Sequence, residues 1–250
     1  MSFAPDSNLV ARVVPSPNYG ERRAARPDMI VLHYTGMPDA EAALERLCAP
    51  DSEVSAHYVV LEDGAIVQCV PEARRAWHAG ASSWAGETDI NSRSIGIEIV
   101  NPGHEWGYRD FPATQIDAVI ALCRDIVARH AIAPEYVLAH SDVAPARKQD
   151  PGEKFPWGRL HAAGVGHWVK PAAIEGGPVL TIGDSGPGVR ALQQDFADYG
   201  YGVAATGHYD EATALVVVAF QRHFRPERVD GVADVSTLTT LSRLLPRPAL

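Results

Sequence analysis

Three side chains in the 250-residue sequence have the types and spacing of a catalytic metal site: His33 in MIVLHYTG, His140 in YVLAHSD, and Asp150 ten residues further on in APARKQDPG. Two imidazoles and one carboxylate make three protein ligands and leave a fourth position for water, the pattern of a catalytic zinc centre. Ten histidines are present, and a histidine taken alone is more often a surface or core group than a ligand. Position selects these two. Each lies at the carboxyl end of an apolar run that reads as a strand, where open α/β sheets place their ligands. A His-x9-Asp spacing recurs by chance, so the spacing alone does not establish the site.

The elements that must hold these residues can be read from periodicity. Met29 to Tyr34 and Val54 to Leu61 are β-branched and aromatic runs, and Asp63-Gly64 turns the second into Ala65 to Val70 as a hairpin. Ser94 to Val100 alternates, with Ile95, Ile97 and Ile99 on one face and Gly96, Glu98 and Val100 on the other. Tyr136 to His140 reads as the last strand. Between them, Thr114 to His130 spaces Ile116, Val119, Ile120, Cys123 and Val127 as the buried stripe of a helix. The fold class is therefore α/β: a central, mainly mixed β-sheet flanked by helices, followed by a small three-helix domain.

The division between these parts falls at PAAIEGGP, Pro171 to Pro178, which reads as a linker. The expected domains are 1–175 and 178–250. In the second, Gly-x-x-Asp-x-x-Thr occurs at Gly207/Asp210/Thr213 and again at Gly231/Asp234/Thr237, each copy opening an apolar helical stretch. Each Asp suits an N-cap, accepting from backbone N–H groups that the helix cannot satisfy. Val189, Leu192, Gln193 and Phe196 form a comparable stripe on an earlier helix.

Composition narrows the partners. With 31 acidic and 22 basic residues, the net charge of -9 repels a phosphate backbone, so nucleic acid is not expected. Cys48, Cys69 and Cys123 are odd in number and lack C-x-x-C spacing, which argues against a disulfide framework or a thiolate site. No apolar run is long enough to span a bilayer. The start, MSFAPDSNLVARVV, does not read as a secretory leader. The expected location is cytoplasmic, or periplasmic if a leader has been removed.

The stretches VLHYTG, VSAHYVV, RAWHAG, SIGIEIVNPG and HSDVAPARKQDPGEKFPW resemble, in order, the signatures of the zinc-dependent N-acetylmuramoyl-L-alanine amidases of type 2. The resemblance runs from about Met29 to Trp157. It implies Zn2+ on His33, His140 and Asp150, with Glu98 as general base and Lys148 stabilising the transition state. The bond implied is the lactyl-amide link between N-acetylmuramic acid, including its 1,6-anhydro form, and L-alanine. Partners would be peptidoglycan or its muropeptide and anhydromuropeptide fragments. Trp77, His78 and Asn91 lie in family-like segments and are expected to line the substrate cleft, whereas His57 reads as structural. Leu180 to Leu245 resembles the small helical peptidoglycan-binding domain attached to many wall hydrolases.

Two other features point elsewhere. GDSGPG at Gly183 to Gly188 resembles the nucleophile segment of serine proteases but precedes a helix, so Ser185 reads as a turn or cap residue. His104-Glu105 fails as HExxH because Tyr108 occupies the second histidine position. A non-catalytic peptidoglycan-recognition protein on the same fold is the competing reading; such proteins typically lack a metal ligand, and Asp150 separates the two.

Overall fold

Residues 3–245 are described by a computed structural model. The strands are β1 (Arg12–Val13), β2 (Tyr19–Glu21), β3 (Met29–Tyr34), β4 (Tyr58–Val60), β5 (Ile66–Gln68), β6 (Arg74–Ala76), β7 (Ser94–Ile99) and β8 (Val137–Ala139). The helices are α1 (Ala40–Cys48), α2 (Ile90–Arg93), α3 (Ala113–His130), α4 (His140–Val143), α5 (Trp157–Ala162), α6 (Pro187–Tyr199), α7 (Glu211–Phe224) and α8 (Val235–Leu244). The main sheet has the order β1-β5-β4-β7-β3-β8 and is mixed; β2 and β6 form a separate ribbon.

The site depends on the centre of this sheet. β7, β3 and β8 are adjacent and parallel, with His33 opposite Glu98 and Leu32 opposite Ala139. The strand pleat then decides which side chains face the site. Ile95, Ile97 and Ile99 pack with Ile30 and Leu32 against α3, so Gly96 and Glu98 face the other way. His140 differs from its expected place: β8 stops at Ala139, and His140 opens the one-turn α4. A turn here aims the imidazole back over the sheet end, where a continued strand would carry it past.

The stripe of α3 is rotated from the reading of its sequence. Leu122 and Ile126 are buried with Ile116, Val119 and Cys123, while Ile120 and Val127 are only partly so. Both sets have helical spacing, and the sequence contains enough apolar residues to support either; packing on the sheet chooses. Helix α1 and the short strands β1, β2 and β6 were not read from the sequence at all, although Asp39 caps α1 by accepting from Ala42 N at 2.9 Å.

Downstream, the repeated motif behaves as read. Asp210 accepts from Thr213 N at 2.9 Å and Asp234 from Thr237 N at 2.8 Å. The repeat extends to two buried glutamines: Gln193 bonds Gly207 N and Thr213 Oγ1, and Gln221 bonds Gly231 N and Thr237 Oγ1. The three-helix segment does not, however, have a core to itself. Val189, Leu192, Phe196, Val217, Phe220 and Leu241 share one apolar cluster with Met29, Val31, Leu138 and Val143 of the sheet segment. Gly200 presses so closely on the Trp84 ring that a Cβ has no room there, and Gly202 lies against the Ser83 hydroxyl. The expected linker is coil held to α8, with Ala172 N donating to Thr240 Oγ1 and Ser236 Oγ donating to Ala172 O.

Candidate active site

His33 Nδ1, His140 Nδ1 and Asp150 Oδ2 converge on one point: the histidine nitrogens are 2.9 Å apart, and the carboxylate oxygen lies 3.1 Å and 3.0 Å from them. All three residues are buried. The hydrogen-bond partners assign their protons. His140 Nε2 is 3.1 Å from Ala79 O, a pure acceptor, so in the neutral ring Nε2 carries the proton and Nδ1 presents a lone pair. On the other side, Ser94 Oγ donates to Ile90 O and must therefore accept from His78 Nε2. His78 Nδ1 is then the acceptor for His33 Nε2–H, at 3.0 Å, and His33 Nδ1 is also a bare lone pair.

Two lone pairs and a carboxylate oxygen facing one another at these distances repel unless a cation sits between them. The donor set therefore fits a metal ion, and these are the residues among those described that cluster as metal ligands. Charge states agree. Burial, reinforced by His140, lowers the His33 pKa to about 4, which keeps the ring neutral. The His33-His78-Ser94 chain is the outer support that metal-bound histidines commonly have.

Gly96 makes room for this support, because a Cβ there would enter the His78 ring. Gly96→Ala is expected to lower the unfolding free energy by about 1–3 kcal/mol, the cost of overpacking a tight interior. Denaturant unfolding of the two proteins checks it; equal stability would mean that His78 has a free alternative position.

A cleft of about 310 Å3 opens over the triad, lined by Trp77, Glu98, Lys148, Arg46 and His104 among others. Glu98 Oε2 is shielded from solvent and has no hydrogen-bond partner among the described residues. Burial, and then the Asp150 charge, raise its pKa well above the usual value, with Lys148 opposing. An unpartnered, solvent-shielded carboxylate oxygen is costly unless something else occupies its lone pairs. Lys148 is exposed and reaches the same cleft. Its basic neighbours are committed elsewhere: Arg147 donates to Ala79 O and Ala81 O, and Lys154 to Tyr108 O.

The residues expected to line the cleft divide. Trp77 does so. His78 reaches the cleft floor, but both its nitrogens are engaged as above. Asn91 is buried behind the cleft lining, with Oδ1 accepting from His78 N and Ala79 N, and so shapes the loop behind the cleft. His57 is structural as read, bonded to Gly96 N and Arg22. His104 bonds Tyr34 and Glu153 and takes no part in the triad. Ser185 is exposed on the downstream segment, and the α6 cap is Gly186; its Oγ instead meets His208 Nδ1 at 2.9 Å. No carboxylate orients that histidine among the described residues, so the pair lacks the third member of a charge-stabilised triad.

Comparison with known proteins agrees with this geometry. Residues 23–153 match the family described as "N-acetylmuramoyl-L-alanine amidase", and residues 185–241 match that described as "Putative peptidoglycan binding domain". The chain is 38% identical over 239 residues to the N-acetylmuramoyl-L-alanine amidase AmiD of Escherichia coli, covering 90% of this chain and 85% of that protein. The structure of E. coli AmiD with its substrate anhydro-N-acetylmuramic acid-L-Ala-D-γ-Glu-L-Lys superposes with a TM-score of 0.74 at 36% identity, over 91% of this chain and 96% of that one. That of AmpDh3 from Pseudomonas aeruginosa in complex with anhydromuramic pentapeptide does so with a TM-score of 0.72 at 32% identity, over 97% and 98%. With both segments matched and the histidines and carboxylates gathered at the carboxyl ends of neighbouring strands, the chain belongs to the N-acetylmuramoyl-L-alanine amidase family.

Proposed function

We propose that this amidase is zinc-dependent, that His33, His140 and Asp150 hold the ion, and that Glu98 and Lys148 carry the chemistry on the amide between N-acetylmuramic acid and L-alanine. The observation that supports this most is the convergence of two imidazole Nδ1 atoms and one carboxylate oxygen within 3.1 Å. Two imidazoles with one carboxylate suit zinc better than calcium or magnesium, which prefer all-oxygen sets.

Zinc bound there would polarise the scissile carbonyl and make water a nucleophile near neutral pH. Glu98, in the cleft wall, takes the proton from the attacking water and delivers it to the alanine nitrogen, since an amide nitrogen leaves poorly unless protonated. Lys148 places a cation where negative charge grows on the carbonyl oxygen. Lys148→Met is expected to lower kcat by about 10²-fold with KM little changed, the loss typical of a group that acts on the transition state. Steady-state kinetics check it, and a change confined to KM would assign Lys148 to ground-state binding.

The substrate class follows from the cleft and the relatives. Trp77 offers an aromatic wall to a sugar ring, and the two solved relatives carry 1,6-anhydromuramoyl peptides. We therefore assign soluble anhydromuropeptides as substrate. Incubation of the full chain with such a fragment, and separately with intact sacculi, tests the choice. Cleavage of the fragment into anhydro sugar and a peptide with a free alanine amine is expected; release of peptide from sacculi alone would overturn it.

A further inference from the structure

Resting on the metal reading above, we propose that the downstream helical segment is an outer clamp of the metal site, with Tyr201 and His223 acting through Asp142 as positioning residues for His140. Asp142 lies two residues after His140 and is fully buried. Its Oδ2 accepts from Ala139 N at 2.8 Å, which fixes the start of the turn that aims His140. The same oxygen accepts from His223 Nδ1 at 2.7 Å, and Oδ1 accepts from Tyr201 OH at 2.7 Å. The side-chain donors to this carboxylate thus come from the helical segment, 59 and 81 residues away in sequence.

The donors are themselves held firmly. The His223 ring stacks between Trp157 at 3.7 Å and Phe224 at 3.8 Å, and Tyr201 sits in the shared core. Helix α7 makes a second contact one residue before His223: Arg222 donates to Gln149 Oε1 at 3.2 Å, beside Asp150. The two ligand segments are tied to each other by Ser141 N donating to Asp150 O at 3.0 Å. One helix therefore reaches both segments that carry His140 and Asp150. Without these donors the buried Asp142 carboxylate would keep only Ala139 N as a partner and would turn toward water, releasing Ala139 N–H and the orientation of His140.

The test uses full-length Tyr201→Phe, His223→Leu and His223→Asn proteins. Asn carries its amide nitrogen where His223 has Nδ1 and keeps the donor. Zinc affinity is measured by competition with a chromophoric chelator, the cobalt-substituted visible spectrum reports ligand geometry, and circular dichroism confirms folding. His223→Leu is expected to weaken zinc about 10- to 100-fold, as loss of an outer-shell partner does, and to alter the cobalt spectrum. His223→Asn should recover most of the loss. Tyr201→Phe removes a single oxygen and should weaken zinc at least about 3-fold; it decides the matter if His223→Leu does not fold. The proposal is overturned if the folded variants bind zinc within twofold of the unaltered protein, or if His223→Asn is no better than His223→Leu. Absence of zinc binding by the unaltered protein would instead refute the metal reading itself.

Discussion

Glu98→Gln is expected to lower kcat by about 10²- to 10⁴-fold, the range for loss of a general acid-base group, while leaving the metal content unchanged. The substitution keeps the shape and hydrogen-bonding volume of the side chain and removes its ability to take a proton. Glu98 stands opposite His33 on the neighbouring parallel strand, yet it is not among the atoms that converge with His33 and His140. Activity and metal binding should therefore separate at this position. Single-turnover kinetics with metal analysis on the same preparation measure both. Loss of metal along with activity would make Glu98 a ligand, and retained kcat would remove it from the reaction.

Asp150→Asn should behave in the opposite way. Asn is isosteric but neutral, and it offers one oxygen where the carboxylate offers two. The two Nδ1 lone pairs would then face each other without the anion that balances a dication. Metal affinity is expected to fall by at least about 10²-fold, beyond the usual effect of an outer-shell partner, and activity should fall with it at limiting zinc. Excess zinc should restore part of the activity, whereas excess zinc should do nothing for Glu98→Gln. Titration of each variant with zinc while following amide cleavage distinguishes the two; a zinc-independent defect in Asp150→Asn would place its role in folding.

The features legible in the sequence are those set by local pattern. The alternation of Ser94 to Val100 put Glu98 on the face opposite three isoleucines, and the strand pleat realises this. The caps at Asp210 and Asp234 depend on a side chain and a backbone N–H three residues away, so the motif alone specifies them. Features that depend on distant packing were not legible. The face of α3 that is buried is settled by the sheet beneath it, since its apolar residues fit two overlapping stripes. His78 and Asn91 carry no mark in sequence that separates a cleft wall from a supporting shell; only the chain from His33 to Ser94 assigns His78 its role. The same holds for Asp142, whose partners Tyr201 and His223 come from the far end of the chain. A cue for Gly96 was present, since glycine in a buried strand often marks close approach of another group, here the His78 ring.

This separation also bears on the helical segment. The sequence marks a linker at Pro171 to Pro178, and such segments usually join independent units. Yet the apolar cluster runs continuously from Val31 and Leu138 into Phe196 and Phe220. A segment that resembles a wall-binding module is packed against the part of the sheet that carries the candidate site.

The metal is the point on which the account turns, and elemental analysis of the purified full chain tests it most directly, combined with activity before and after dialysis against a chelator. One zinc per chain is expected, with amide cleavage abolished on its removal and restored by zinc. Full activity in protein free of zinc and other transition metals would contradict the account, leaving His33, His140 and Asp150 converging on a point that no ion serves.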